Sequence, residues 1–256
     1  MLFDTHLHTK FSADSKMLLT DAIQSAKQQN VGLVLTEHLD YDYPGDDIYE
    51  FNPQQYFNEY GNYRSNNLYL GVEVGMQAHT LKQSRQFIEQ APFDQIICSL
   101  HLLDKEDLFY ASCYVKDKHY VYLHYLTTMA KLIKQHNFAN ILGHIDYICR
   151  YATYEQQDII YEDYQDAIDD LWRTIIDQGI VPELNTRRFN NKHNIPALLK
   201  LYERYHELGG KYISLGSDAH KPQNIGFAFT TAYDLISTLK LEPVYFINRQ
   251  MQKCKI

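Results

Sequence analysis

Residues 4–9 read DTHLHT, two histidines one residue apart beside an aspartate, with only Met1, Leu2 and Phe3 ahead of them. On a loose end such a pair has no fixed geometry. On a strand, alternation sends both imidazoles to the same face. The question is whether LFDTH opens a strand, and the rest of the chain answers it. Short β-branched or apolar runs recur at 2–6, 32–38, 68–74, 95–101, 139–145, 180–185 and 212–220. Stretches of helical period separate them, the pattern of repeated βαβ units with a parallel sheet.

The predicted helices are MLLTDAIQSAKQQN (17–30) with Thr20 as N-cap, then 79–91, 119–137, 162–179 and 195–210. Gly179 suits the residue just past a helix end, and Pro196 with Gly209–Gly210 gives the usual start and stop asymmetry. Residues 40–66, polar and aromatic, are read as a loop with a short helix covering one face. About seven β-then-α units predict an α/β fold, a distorted (β/α)7 barrel of TIM type, as a single domain over 1–256. An open doubly wound sheet is the alternative.

Composition narrows the function classes. The 256 residues carry a formal net charge of −8 and no basic stripe, which argues against a nucleic-acid partner. Four cysteines stand far apart without a CxxC pair, as expected of buried thiols in a reducing compartment. No signal-peptide core and no run of membrane-spanning length is found, so a cytoplasmic protein without a membrane partner is expected. Oligomeric state is not legible.

The strand ends carry the chemistry. Six of the seven runs end in or lead into residues that bind metals: His6 and His8, Glu37–His38, Glu73, His101, His144, and Asp218 with His220. Asp14, in the loop KFSADSK, is within reach of the same end. A parallel barrel gathers the C-terminal ends of its strands on one face, so residues spread over more than 200 positions would meet there. Imidazoles and carboxylates suit zinc, manganese or iron. The other histidines, His79, His119, His124, His136, His193 and His206, fall mostly in helical stretches or loops and are read as structural or surface.

The stretches DTHLHT (4–9), LTEHLD (35–40), GVEV (71–74), CSLH (98–101), LGHID (142–146) and GSDAH (216–220) resemble, in order, the motifs of the PHP family of metal-dependent phosphoesterases. TEH, SLH, ELNT (183–186) and the tail VYFINR (244–249) are similar to its histidinol-phosphate phosphatase branch. The resemblance implies three divalent ions (zinc, manganese or iron) at the mouth of a distorted barrel. By motif position, one ion would take His6, His8, Glu73 and Asp218. A second would share Glu73 and take His101 and His144, and a third Asp14, His38 and His220. Asp4 and Glu37 would orient the imidazoles.

The same resemblance implies hydrolysis of a phosphomonoester, L-histidinol phosphate in histidine biosynthesis, by a hydroxide bridging two metals and with no other catalytic residue assigned. Three divalent ions against three carboxylates leave a positive surplus that suits a phosphate dianion. Arg150, after the fifth strand, and Arg187 and Arg188, after the sixth, are the candidate phosphate clamps. Asp40, Asp42, Tyr43, Asp46 and Asp47 would either meet the amine and imidazole of the leaving group or merely form a solvated cover. A phosphodiesterase or exonuclease, or a phosphatase for another small phosphomonoester, is the alternative. An amidohydrolase would need a lysine at the fourth strand end, where QIICSLH has none. A non-catalytic metal-binding or regulatory barrel gains no support from the sequence, since every matched ligand position holds a competent residue.

Overall fold

The computed structural model describes residues 1–255. Its main sheet takes strands β1 (Phe3–Asp4), β2 (Gly32–Leu39), β3 (Leu68–Gly75), β4 (Gln95–Ser99), β5 (Ile141–Leu142), β6 (Val181–Asn185), β7 (Tyr212–Gly216), β8 (Glu242–Ile247) and β9 (Gln250–Lys253) in sequential order. The first eight pair in parallel and β9 turns back antiparallel on β8. Seven helices join them: α1 (Leu19–Gln29), α2 (Pro53–Tyr60), α3 (Leu81–Ile88), α4 (Lys118–Gln135), α5 (Gln165–Gln178), α6 (Ile195–Glu207) and α7 (Phe229–Thr238).

DTHLHT is therefore anchored. Phe3 and Asp4 pair with Gly32 and Leu33 on one side. On the other side the Thr5 amide donates to the Leu215 carbonyl at 2.9 Å, the Asp218 amide to the His6 carbonyl at 2.7 Å and the His8 amide to the Ala219 carbonyl at 2.9 Å. The segment after the first strand thus hydrogen-bonds to the end of the seventh and the loop beyond it, and the strictly sequential strand order lacks the reversal of a doubly wound sheet.

Alternation along each strand separates two environments. On β3, Leu68, Leu70, Val72 and Val74 join the large core with helix residues such as Ala22, Leu126, Ile168 and Trp172. Tyr69, Gly71 and Glu73 take the opposite face. That face is apolar at its N-terminal end, where Ile97, Ile141 and Val181 meet Val244 and Phe246 of β8. Phe3, Val34 and Tyr69 form a second apolar group there, with Tyr245 stacked on Phe3 at 3.8 Å between ring centres. At its C-terminal end the same face carries the histidines and carboxylates.

Helix boundaries follow local chemistry. Asn52 caps α2 by accepting from the Gln55 amide, with Pro53 in the first turn. Asp117 caps α4, and Gly179 ends α5 in the left-handed conformation at φ 70°. Thr20 does not cap α1; it lies inside the helix and Leu18 holds the cap position without a side-chain bond. The fifth strand shrinks from the expected 139–145 to Ile141–Leu142, with the Gly143 amide still donating to the Cys98 carbonyl at 2.9 Å just before His144. Helix α7 and the β8–β9 hairpin have no counterpart among the predicted elements. Among the described residues no helix is long and apolar enough to cross a membrane.

Candidate metal centre

The strand ends converge as the sequence suggests. Glu73, fully buried at the end of β3, is the hub: its Oε2 lies 3.1 Å from His6 Nε2, 3.5 Å from His8 Nε2 and 3.0 Å from His38 Nδ1. Its Oε1 lies 3.2 Å from His101 Nε2 and 3.1 Å from His144 Nε2. Asp218 Oδ1 stands 3.4 Å from His8 Nε2 and 4.0 Å from His6 Nε2. Asp14 Oδ2 is 3.0 Å from His220 Nε2 and 3.6 Å from His38 Nε2. All nine residues singled out as ligands are thus in one cluster. Asp218 holds a left-handed backbone at φ 54°, a conformation that costs an aspartate energy and is kept where a site needs the side chain aimed.

The donor set fits divalent cations. His6 Nε2, His8 Nε2, His38 Nδ1 and Glu73 Oε2 are buried and make no hydrogen bond, although native proteins rarely leave such atoms unsatisfied. Five sets place one donor atom from each member within 4.8 Å of the others: His6, His8 and Asp218; Glu73, His101 and His144; His8, His38 and His220; His38, Asp40 and His101; and His6, His144 and Glu183.

The far nitrogens of three imidazoles are held by hydrogen bonds that fix the tautomer. His101 Nδ1 lies 2.8 Å from Asp40 Oδ1, and His6 Nδ1 lies 2.8 Å from Glu183 Oε1. The Ser12 hydroxyl donates its only proton to Glu37 at 2.7 Å, so at 3.2 Å from His8 Nδ1 it must accept. In each case an N–H sits at Nδ1, so Nε2, turned toward the cluster, is the nitrogen left for an ion to take.

Electrostatics agrees with that arrangement. Burial opposes a charge on His6, but the carboxylates of Glu183, Glu73 and Asp218 outweigh it and raise its pKa well above the ordinary value. His101, likewise buried, is pushed up to about 10 by Asp40 and Glu73. His8 goes the other way, driven down by burial and by His38 and His220. Glu73 is held well below the carboxylate range, its burial overcome by His6, His101 and His38.

Several assignments need correction. Asp4 does not orient an imidazole: its carboxylate accepts from the Ser217 amide (2.9 Å) and hydroxyl (2.5 Å) and the Gly226 amide (2.9 Å), tying β1 to the loop after β7. Glu37 acts on His8 only through Ser12. Arg188 is spent elsewhere, bonded to Asp146 at 3.1 Å and Asp158 at 2.6 Å, and does not line the cleft. Arg150 and Arg187 do line it. Arg150 Nη1 donates to Asp218 at 2.5 Å while its Nε and Nη2 are buried without partners. Arg187 Nη1 donates to the Asp218 carbonyl at 2.7 Å. Asp40 is not a rim residue but the partner of His101. Arg64 and Arg204 pair with Asp94 and Asp169 away from the cleft. Sequence reasoning missed the contact of Glu183 with His6; the signal available was its place in ELNT, at the end of a predicted strand.

Above the cluster opens a cleft of about 320 Å³. Tyr43, Tyr49, Phe109, Tyr110, Tyr147 and Tyr151 form its aromatic walls, with Asp47 and Asp107 among them. The Tyr43 hydroxyl bonds Asp107 across the cleft.

A parallel α/β sheet with a multi-histidine, multi-carboxylate cluster at its C-terminal end defines a class, the metal-dependent hydrolases. Residues 4–187 match the PHP domain, and the chain belongs to the PHP family. It is 41% identical to a probable histidinol-phosphatase of Clostridium acetobutylicum over 98% of this chain and 99% of that protein. It is 28% identical to a histidinol-phosphatase of Lactococcus lactis over 85% and 83%. A crystal structure of histidinol phosphate phosphatase from Lactococcus lactis, solved with zinc, L-histidinol and phosphate, superposes with a TM-score of 0.92 at 26% identity, covering 98% of this chain and 99% of that one.

Proposed function

We propose that this chain is a metal-dependent histidinol-phosphate phosphatase, releasing phosphate and L-histidinol. The observation that carries this is a buried cluster of unpartnered imidazole and carboxylate donors beneath a cleft lined by Arg150, whose Nε and Nη2 are buried and free. Relatives that match nearly the whole chain carry that activity in their names, and one binds zinc, L-histidinol and phosphate together.

His6, His8, Glu73 and Asp218 would hold one ion, Glu73, His101 and His144 a second, and Asp14, His38 and His220 a third. Zinc is the favoured ion, and manganese or iron would suit the same donors. Divalent ions held there supply Lewis-acid charge beside the phosphate and make bound water more acidic. The protein's own share is to bind and orient. Arg150 and Arg187 clamp phosphate oxygens, for which a guanidinium fork is well shaped. Asp107 and Asp47, between aromatic rings, favour a small cationic alcohol as the leaving group. Glu183, Asp40 and the Ser12–Glu37 pair keep the Nε2 lone pairs of three imidazoles turned to the ions.

The barrel is closed, a reading supported by the bonds joining residues 5–8 to 215–219, and it is one domain, supported by a core cluster drawing on residues 7–241. Four free thiols favour a reducing cytoplasmic setting. A nucleic-acid phosphodiesterase is disfavoured because the cleft lining holds two arginines, no lysine and five aspartates. The test is phosphate release from L-histidinol phosphate against a diester, bis(p-nitrophenyl) phosphate, together with rescue of a histidine auxotroph lacking its histidinol phosphatase. Faster diester cleavage overturns the monoesterase. Failure to rescue, with good expression, points to another small phosphomonoester.

A further inference from the structure

From the geometry at the end of β6 we infer that Glu183 is a positioning residue: one carboxylate holds both His6 and His144 in place without binding metal itself. The two histidines belong to different metal positions and follow different strands, His6 after β1 and His144 after β5. Glu183 Oε1 accepts from His6 Nδ1 at 2.8 Å, and Oε2 accepts from the His144 backbone amide at 2.7 Å. Asn185 Nδ2 donates to Oε1 at 3.0 Å, and the Tyr202 hydroxyl donates to the Glu183 carbonyl, fixing the side chain and the backbone that carries it. The residue is 1% exposed, and Gly216 on β7 leaves the room it occupies, since any Cβ there would collide with Oε1.

Both oxygens of Glu183 are therefore engaged, whereas Glu73 keeps an unpartnered oxygen in the cluster. That contrast separates the two buried glutamates: Glu73 is available to a cation and Glu183 is not. The Glu183 acceptor puts the proton of His6 on Nδ1, so only Nε2 can bind an ion. Through the His144 amide the same carboxylate sets where that histidine leaves β5, after a strand only two residues long.

The inference rests on His6 and His144 binding metal, so the wild type is measured first. Metal-free protein is titrated with zinc against a chromophoric chelator, then Glu183→Ala and Glu183→Gln are compared after circular dichroism shows them folded. Glu183→Ala should weaken the tightest zinc uptake by about tenfold to a hundredfold, the usual effect of losing the partner of a metal-bound histidine. It should lower kcat with KM within about twofold. Glu183→Gln keeps one acceptor oxygen and should recover part of the loss. Should the variants not fold, long-range ¹H–¹⁵N spectra of zinc-loaded wild type decide, and the expected His6 signal is that of a ring protonated at Nδ1. Wild-type zinc affinity in folded Glu183→Ala, or a His6 ring protonated at Nε2, overturns the inference while leaving the metal site standing. A wild type that takes up no zinc overturns the metal reading itself and this inference with it.

Discussion

The inner and outer parts of the cluster are built from the same residue types yet live in different surroundings. The side chains of His6, His8 and Glu73 are 0% exposed, and that of Asp218 5%. At the outer position Asp14 is 37% exposed, His220 15% and His38 11%. Inner imidazoles have backing from Glu183 and from Ser12 with Glu37. At the outer position His220 is backed only by a backbone carbonyl, that of Asp218, 3.0 Å from its Nδ1, with Arg187 Nη1 3.1 Å away and Asp14 3.0 Å from its Nε2. Burial makes the inner carboxylates costly unless cations face them, and it makes the donors rigid. On the proposed metal reading, the difference predicts retention in the inner part and exchange, with access to the cleft, in the outer part.

The sharpest way to break this contrast is to remove the hub. Glu73→Gln withdraws the charge facing the surrounding imidazoles, and kcat should fall on the order of a thousandfold, the upper end for losing one electrostatic stabiliser. Elemental analysis should find the inner ions depleted as well. Next in size is Arg150→Ala, which removes the buried guanidinium from Asp218 and from the cleft. KM for the phosphomonoester should rise by about thirtyfold or more, as when one partner of a buried charge pair is truncated. Arg150→Lys should recover little, because an ammonium cannot reproduce the fork.

Asp14→Ala should act mainly on the outer ion. Zinc content should drop by one equivalent while the inner ions stay, and kcat should fall about tenfold to a hundredfold. A loss of all metal from Asp14→Ala would erase the distinction between inner and outer parts. The last prediction concerns pH. In the metal-free protein His6 and His38 are held above the ordinary histidine value and His101 near 10, so at neutral pH they carry protons that an ion must displace. Zinc affinity should therefore rise with pH, by about tenfold per unit for each proton released. Calorimetry in buffers of different ionisation enthalpy counts those protons, and none released would contradict the assigned charge states.

Much of this was legible in the sequence for a physical reason. Residues at the ends of parallel strands converge, so His6, His38, Glu73, His101, His144 and Asp218 could be placed together without knowing any distance. What escaped was what depends on the third dimension alone. Arg187 and Arg188 are adjacent after β6, and only the turn at Arg187–Asn190 decides that one lines the cleft and the other is consumed by Asp146 and Asp158. Asp40 follows β2 in a polar loop and looks solvent-facing, yet its carboxylate turns inward to His101. Asp4 sits in the most conspicuous motif of the chain but ties backbone together at 217 and 226. The sequence of β8 lacks the polar–apolar alternation of a half-buried strand, because Val244 and Phe246 are buried on one face while Tyr245 and Ile247 pack, half-buried, against an apolar group on the other.

The layered cluster is tested most directly by anomalous diffraction at the zinc edge from crystals of zinc-loaded protein. Three peaks are predicted, one among His6, His8, Glu73 and Asp218, one among Glu73, His101 and His144, and an outer one among Asp14, His38 and His220. Brief chelation should remove the outer peak first. No anomalous density among these residues, or an outer peak that outlasts the inner two, would contradict the layered arrangement.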